Sequence, residues 1–264
     1  MNARYRTDGP NAGKDWLLGS PRVPVAGIPI MASPAWEVIT RLQRVASALH
    51  GSGIPVHFVN AYTVSLTEDE TYLEVFQSGS LNIADGTPLA WLARRKSAEV
   101  AHMRGPDAFR SILKSAPDLG LRHFLLGGTA ESLRRLEGVI SEDFPDALVV
   151  GSFSPPFHDL TPSDHRQIDG ILEDADANVI WVGIGTPKQD YEVARIAARH
   201  PAVVLAVGAA FNFVSGDVVE APAFWRRTGL EWMYRFAREP RRLWRRYVFG
   251  NLRFLLLAAR RGRG

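Results

Sequence analysis

The residues of this chain best suited to chemistry stand just past short apolar runs. In LNIADGTPLAW, Asp85 follows Leu81–Ala84 and precedes Gly86 and a proline in the first turn of an expected helix. A carboxylate there is exposed at the carboxyl edge of a sheet, placed to take a proton from an attacking hydroxyl. Asp-Gly is also common turn chemistry, and a capping or turn role suits Asp85 equally well. Asn60 ends VHFVN at the equivalent edge, either to orient a polar ligand or simply to finish its strand. In MRGPDAF, Asp107 suits the cap of the helix that follows, while Arg104 either pairs locally or lines a pocket. In IGTPKQD, Thr186, Lys188 and Gln189 open a helix preorganised by proline. A lysine in a first turn opposes the helix dipole unless an anion lies near, and Lys and Gln suit phosphate or sugar hydroxyls.

Three further stretches, FLLGGTAES, IWVGIGTPKQD and LAVGAAFNF, place glycine directly after an apolar run. Any one of them is explained by a tight turn. Three together favour a nucleotide or phosphate pocket, because glycine lets backbone approach a ligand and a following helix offers free N–H groups. None carries GxGxxG or a GK[ST] ending, which speaks against a dinucleotide enzyme and a standard phosphate-loop NTPase. There is no cysteine and no GxSxG, so a nucleophilic Cys or Ser mechanism is unsupported. The seven histidines lack metal-ligand spacing, and Asp174 and Asp176 precede a strand at the amino edge. The expectation is no metal and no cofactor.

The elements that must position these residues alternate along the chain. Strands are expected at Val56–Val59, Leu81–Ala84, Phe124–Leu126, Ala147–Val150, Val179–Val182 and Val203–Val207. Helices are expected at Pro34–Leu49, Glu68–Phe76, Pro88–Arg95, Asp107–Ser115, Glu131–Ile140, Pro162–Asp174 and Lys188–Arg199. Such alternation predicts an α/β fold, a Rossmann-like and largely parallel sheet flanked by helices. The expected organisation is a disordered lead-in over 1–20, an α/β catalytic domain over 21–220, and a basic amphipathic helical appendage over 221–264.

Composition fits a soluble globular protein, with 46% hydrophobic and 22% charged residues. The N-terminus lacks the apolar stretch of a signal peptide. The longest apolar run near the end, FLLLAA, falls far short of the ~20 residues of a spanning helix. Both features point to a cytoplasmic protein. Charge is unevenly spread: residues 221–264 hold 12 arginines against 2 glutamates, +10, whereas residues 1–220 hold 19 Lys/Arg against 26 Asp/Glu, −7. A basic end on an acidic body implies an anionic partner. Beyond Pro240, Trp244, Tyr247, Val248, Asn251, Leu252, Leu255 and Ala259 share one helix face, opposite Arg242, Arg246, Arg253 and Arg260; Phe254 and Leu257 lie off that stripe. This pattern suits an anionic membrane surface, and equally a helix packed on the body. Nucleic acid is excluded first, since no binding motif accompanies the charge and the body is acidic. The breadth of the apolar band also suits self-association into a homo-oligomer.

In their order, these pieces resemble the bacterial glycosyltransferases of the WecG/TagA/CpsF type, glycosyltransferase family 26. The resemblance runs from about Pro24 to Leu256 and rests on NA at 60, ADG at 84–86, RGPD at 104–107, FLLGG at 124–128, the SPPF around 156, VGIGTPKQD at 182–190, AVGAAFNF at 206–213 and GLEWMYRFAREPRRLWRRY at 229–247. It implies an inverting, metal-independent transfer from a UDP-sugar donor to a polyprenyl-diphosphate-linked acceptor, by a protein peripheral on the inner face of the cell membrane. It also implies Asp85 as general base, Arg235, Arg242 and Arg245 as diphosphate ligands, and Asn60 and Gln189 as pocket residues. Without a metal, a departing UDP needs positive charge, which guanidinium supplies in bidentate form. The chain departs from the family pattern at Phe58, where Thr is frequent, at Asn212, where Asp is frequent, and at Asp190, where Glu is usual. These departures bear on sugar identity rather than reaction type.

Overall fold

Eight short runs of four to six residues pair into one sheet among the residues that the computed structural model describes, which are 12–77, 79–114, 119–222, 224–225, 231–238 and 240–261. The strands are β1 (Arg22–Val25), β2 (Ile28–Met31), β3 (Ile54–Val59), β4 (Leu81–Ala84), β5 (Arg122–Gly127), β6 (Leu148–Phe153), β7 (Val179–Gly183) and β8 (Val203–Ala206). Their order across the sheet is β1-β2-β4-β3-β8-β7-β5-β6. Only β1 and β2 pair antiparallel; every other neighbouring pair is parallel. Parallel strands need crossovers, and the helices supply them. These are α1 (Ala12–Gly19), α2 (Ala35–Ala46), α3 (Ala61–Leu66), α4 (Glu70–Gln77), α5 (Thr87–Arg94), α6 (Gly105–Leu113), α7 (Ala130–Asp143), α8 (Pro162–Ala175), α9 (Lys188–Arg199), α10 (Ala210–Val214), α11 (Glu231–Arg238) and α12 (Pro240–Arg261).

The central strands β7 and β8 are unbroken apolar runs because helices cover both faces. On one face Val56, Leu125, Trp181 and Leu205 pack with Leu42, Phe109, Leu136 and Phe211 from α2, α6, α7 and α10. On the other, Phe124, Ile180 and Val204 pack with Ile168 and Leu172 of α8 and Val193 and Ile196 of α9. A third cluster joins Ile30, Val59 and Ala84 to Leu73 and Phe76 of α4, Leu89 of α5, and Phe254 and Leu257 of α12. The α/β expectation holds, with a mostly parallel sheet flanked by helices.

Three local readings change. Residues 12–19, expected within a disordered lead-in, form α1: Leu17 is fully buried and Arg41 stacks 3.7 Å over the Trp16 ring. Residues 1–11 lie outside the described residues. The β1–β2 hairpin was not anticipated; it turns through Ala26 and Gly27, both with positive φ (52° and 87°), as a two-residue hairpin turn of the primed kind requires. In α12 the buried stripe is Phe254 and Leu257 (3% and 5% exposed), whereas Leu252 and Leu255 are 56% and 59% exposed. The cause is the partner surface. Gly250 lies against Tyr62 and Ser65 of α3, which fixes the rotation of α12 and turns the residues four and seven positions later inward.

Connections leave adjacent strands β5 and β7 in opposite directions. α7 leads outward to β6 across one face, and α9 leads back to β8 across the other. This is the switch point of an open α/β sheet, where a crevice forms outside the carboxyl ends of the strands.

Candidate active site

A cleft of ≈ 920 Å³ occupies that switch point. All three glycine loops reach it: Gly128 and Thr129 after β5, Gly183–Lys188 after β7, and Gly208–Asn212 after β8. Glycine is needed where two strand ends converge. A Cβ on Gly127 (φ 133°) would fall 2.6 Å from the Gly183 carbonyl, and one on Gly183 would fall 2.8 Å from the Phe211 ring. The outer wall is the loop after β6, held by a bond from the Ser154 hydroxyl to the Gly128 carbonyl (2.7 Å). From this loop Phe157 projects, 81% exposed, at the mouth.

Charge around the cleft is organised in pairs. Lys188 Nζ lies 2.6 Å from Asp159 across the mouth, and Lys188 holds the Asp159 carboxyl below its usual range. Arg135 of α7 bridges Glu131 and Asp217. Arg195 of α9 binds Asp169 of α8 at 2.7 Å and Glu192 at 2.7 Å. His165 Nε2 lies 3.3 Å from the other oxygen of buried Glu192. These pairs tie α8 to α9 and set the wall between them.

Of the residues singled out from the sequence, Thr186 and Lys188 line this cleft. Gln189 stands behind it, buried. Its amide oxygen accepts from the Gly185 N–H (3.2 Å) and its NH₂ donates to Thr186 Oγ1 (3.3 Å), so Gln189 shapes the loop from inside. Asn212, one of the departures, is a lining residue. Asp190 is buried and accepts from the Tyr72 hydroxyl (2.8 Å), with His57 Nδ1 at 3.0 Å. Burial first, then Asp190, raises the Tyr72 hydroxyl well above its ordinary value. This trio fastens the first turn of α9 to β3 and α4.

Asn60, Asp85 and Arg104 lie further along the same edge. β3 neighbours β8, and β4 neighbours β3. Asn60 follows β3 and caps α3, its Oδ1 accepting from the N–H groups of Tyr62 (3.0 Å) and Thr63 (3.2 Å). Asp85 follows β4, half-buried, with its N–H donating to the Val59 carbonyl (2.7 Å). The N-cap of α5 falls on Gly86 (φ 98°) and no side chain caps that helix. Phe58 points into the core beneath. Arg104 precedes α6, whose Gly105 abuts the Val207 carbonyl past the end of β8. Its guanidinium is within 3.2 Å of Glu231 of α11 and 3.6 Å of Glu220.

The side chains of Arg235, Arg242 and Arg245 lie outside the described residues; their backbone belongs to α11 and α12. α12 follows α3 from Gly250, beside Tyr62, to Arg261, which binds Glu70 and Thr67. The turns of α12 before Gly250 thus extend past the Asn60 end of α3. Sequence reasoning missed Thr129, Phe157, His165 and Arg195 as cleft residues. Phe157 had a signal, an aromatic after two prolines in SPPF; the pairing of α8 with α9 had none in the linear pattern. Among the described residues, no helix is long and apolar enough to cross a membrane.

A family model described as the glycosyl transferase WecG/TagA/CpsF family matches residues 23–264, nearly the whole chain. With its glycine-lined crevice and the ordered motifs along one sheet edge, the chain belongs to this family of glycosyltransferases, which serve cell-surface polysaccharide synthesis with a nucleotide-sugar donor and a lipid-linked acceptor.

Proposed function

We propose that the chain is an inverting glycosyltransferase that moves a hexosyl or N-acetylhexosaminyl group from a UDP-sugar to a polyprenyl-diphosphate-linked saccharide, without a catalytic metal. The observation that carries this reading is the convergence of three glycine loops in one cleft, on an edge that continues to Asn60 and Asp85. Adjacent strands lie about 4.8 Å apart, so the edge from β5 to β4 spans four intervals, about 19 Å. That length accommodates an extended nucleoside diphosphate sugar. The uridine sits over β5 and β7, where Thr129, Thr186 and Lys188 face it. The diphosphate lies over β8. The sugar reaches the β3–β4 end, where Asn60 orients it and Asp85 takes the proton of the acceptor hydroxyl as the new bond forms on the face opposite the leaving UDP.

Charge builds on the departing diphosphate in the transition state. Arg235, Arg242 and Arg245 supply the balancing cations, from helices that the domain carries at the Asn60 end of the edge. The rest of the basic C-terminal segment, with Leu252 and Leu255 outward, suits an anionic membrane surface on the inner face of the cell membrane, where a lipid acceptor would be met. The test is a screen of UDP-sugars against a polyprenyl-diphosphate-GlcNAc acceptor, with and without chelator. Product that survives chelation is expected. UDP-sugar binding without transfer to any lipid-diphosphate saccharide would replace this reading with a noncatalytic nucleotide-binding protein that docks to membranes.

A further inference from the structure

Arg104 and Arg110 enter a cluster with three carboxylates, Asp107, Glu220 and Glu231. Arg104 lies 3.2 Å from Glu231, 3.6 Å from Glu220 and 3.8 Å from Asp107; Arg110 donates to Glu220 at 2.9 Å. The Arg104, Glu220 and Glu231 side chains are only 14%, 16% and 18% exposed. Arg104 Nη2 is buried without a hydrogen bond among the described residues, so the guanidinium is committed to this cluster by ion pairing rather than by a complete set of hydrogen bonds. Such a buried charge is tolerated only beside its opposite. Glu231 is the first residue of α11, 127 positions along the chain from Arg104. The pair therefore pins the start of the C-terminal helices to the carboxyl edge beside the end of β8. At the other extreme, Arg261 pins the end of α12 to Glu70, Thr67 and the Ala26 carbonyl. The stretch that carries Arg235, Arg242 and Arg245 is strung between these two fastenings.

We infer that Arg104 is a clasp and that Glu231 is a positioning residue: their ion pair holds α11 against the carboxyl edge so that the arginines beyond it meet the diphosphate. The positioning half of this inference rests on the proposed transfer reaction; the clasp itself does not. Geometry favours a clasp over a substrate ligand for Arg104, because an anion reaching this guanidinium would have to displace two carboxylates that are themselves largely buried.

The test uses the full chain and two readouts. Hydrogen–deuterium exchange across Glu231–Arg238 should rise about tenfold or more in Glu231→Ala, rise less in Glu231→Asp, and fall back in the exchanged pair Arg104→Glu/Glu231→Arg, with the sheet unchanged. In Glu231→Ala, kcat for sugar transfer should fall about tenfold or more and UDP should bind more weakly, while the Kd for uridine, which carries no diphosphate, stays within about twofold by titration calorimetry. Unchanged exchange over α11 in Glu231→Ala overturns the clasp. Exchange that responds while kcat holds at the wild-type value overturns the positioning role and leaves a structural pair. Should the wild-type chain transfer no sugar from any UDP-sugar, the enzymatic reading fails, and exchange in the single and exchanged variants still decides the clasp.

Discussion

Over β5, β7 and β8 the carboxyl edge is shaped by backbone, whereas over β3 and β4 it is shaped by single side chains. The first region consists of glycine loops whose neighbouring charges are matched pair by pair, as in Lys188–Asp159 and Arg195–Asp169. The second presents Asn60 and Asp85 on short connections and is flanked by the C-terminal helices. A surface made of backbone and balanced ion pairs suits a ligand held the same way before and after reaction. A surface of side chains suits the place where charge and protons move, since a carboxylate can take up a proton where backbone cannot. We propose that binding falls to one half and transfer to the other. The contrast breaks if substitutions in the two halves affect the same kinetic constant.

The largest effect should come from the transfer half. Asp85→Asn keeps the size of the side chain and removes its basicity, and a general base contributes about 10²- to 10⁴-fold. We expect kcat to fall within that range, with UDP affinity and melting temperature unchanged. Full activity in this variant would remove Asp85 from the mechanism. Cutting the chain after Pro222 should also abolish turnover, but it uncovers the surface now covered by Phe254 and Leu257. A melting curve must therefore accompany the rate, and retained turnover would end the role given to the C-terminal arginines.

The next effect is one of stability and belongs to the amino end of the strands, away from the cleft. His123 of β5 is buried beside Trp181 of β7, whose indole N–H donates to Nδ1 (3.3 Å), so the neutral ring carries its proton on Nε2. Burial lowers the His123 pKa from 6.5 to about 4. Below pH 6.5 the unfolded chain binds a proton that the folded chain refuses, so stability is full above that pH and is lost as pH falls toward 4. The loss is on the order of 3 kcal/mol. His123→Gln, which still accepts from the indole, should flatten the fall in urea midpoint between pH 6.5 and 4. An identical pH profile in the variant would mean that another group governs acid sensitivity.

How much of this was legible in the sequence follows the same division. Parallel strands are short, mostly apolar runs, and the six from β3 to β8 were readable, as were the glycine loops after three of them. The β1–β2 hairpin was hidden by Pro24 and Pro29, which lower strand propensity yet are tolerated here, where they sit opposite each other at the sheet's edge. α3 was hidden because AYTVSL is rich in β-branched residues; it is a helix because Asn60 and Thr63 form a capping box. Asp85 was legible as a candidate because it follows a strand at the carboxyl edge, although Asp-Gly is also common turn chemistry. The Arg104–Glu231 pair was not, since no periodicity links residues brought together only by tertiary packing. The facing of α12 was misjudged for the same reason: the broad apolar band allowed several rotations, and the contact of Gly250 with α3 selected one.

Two smaller changes should sharpen the contrast within the binding half. Gly183→Ala places a methyl 2.8 Å from the Phe211 ring, an overpacking worth about 1–3 kcal/mol. It should lower the melting temperature and weaken UDP binding together, because the strain lies in the cleft floor. Phe157→Leu should act differently. Phe157 is 81% exposed and packs on nothing that a leucine would disturb, so stability should not change. If the uracil stacks on its ring at the mouth of the cleft, losing the aromatic face should raise the Kd for UDP about tenfold, the low end of base–aromatic stacking. The Kd for inorganic diphosphate, which has no base, should hold. Phe157→Tyr should bind UDP as the wild type does. Equal weakening toward UDP and diphosphate would place the ring beside the phosphates instead, and would reverse the direction in which the donor lies along the edge.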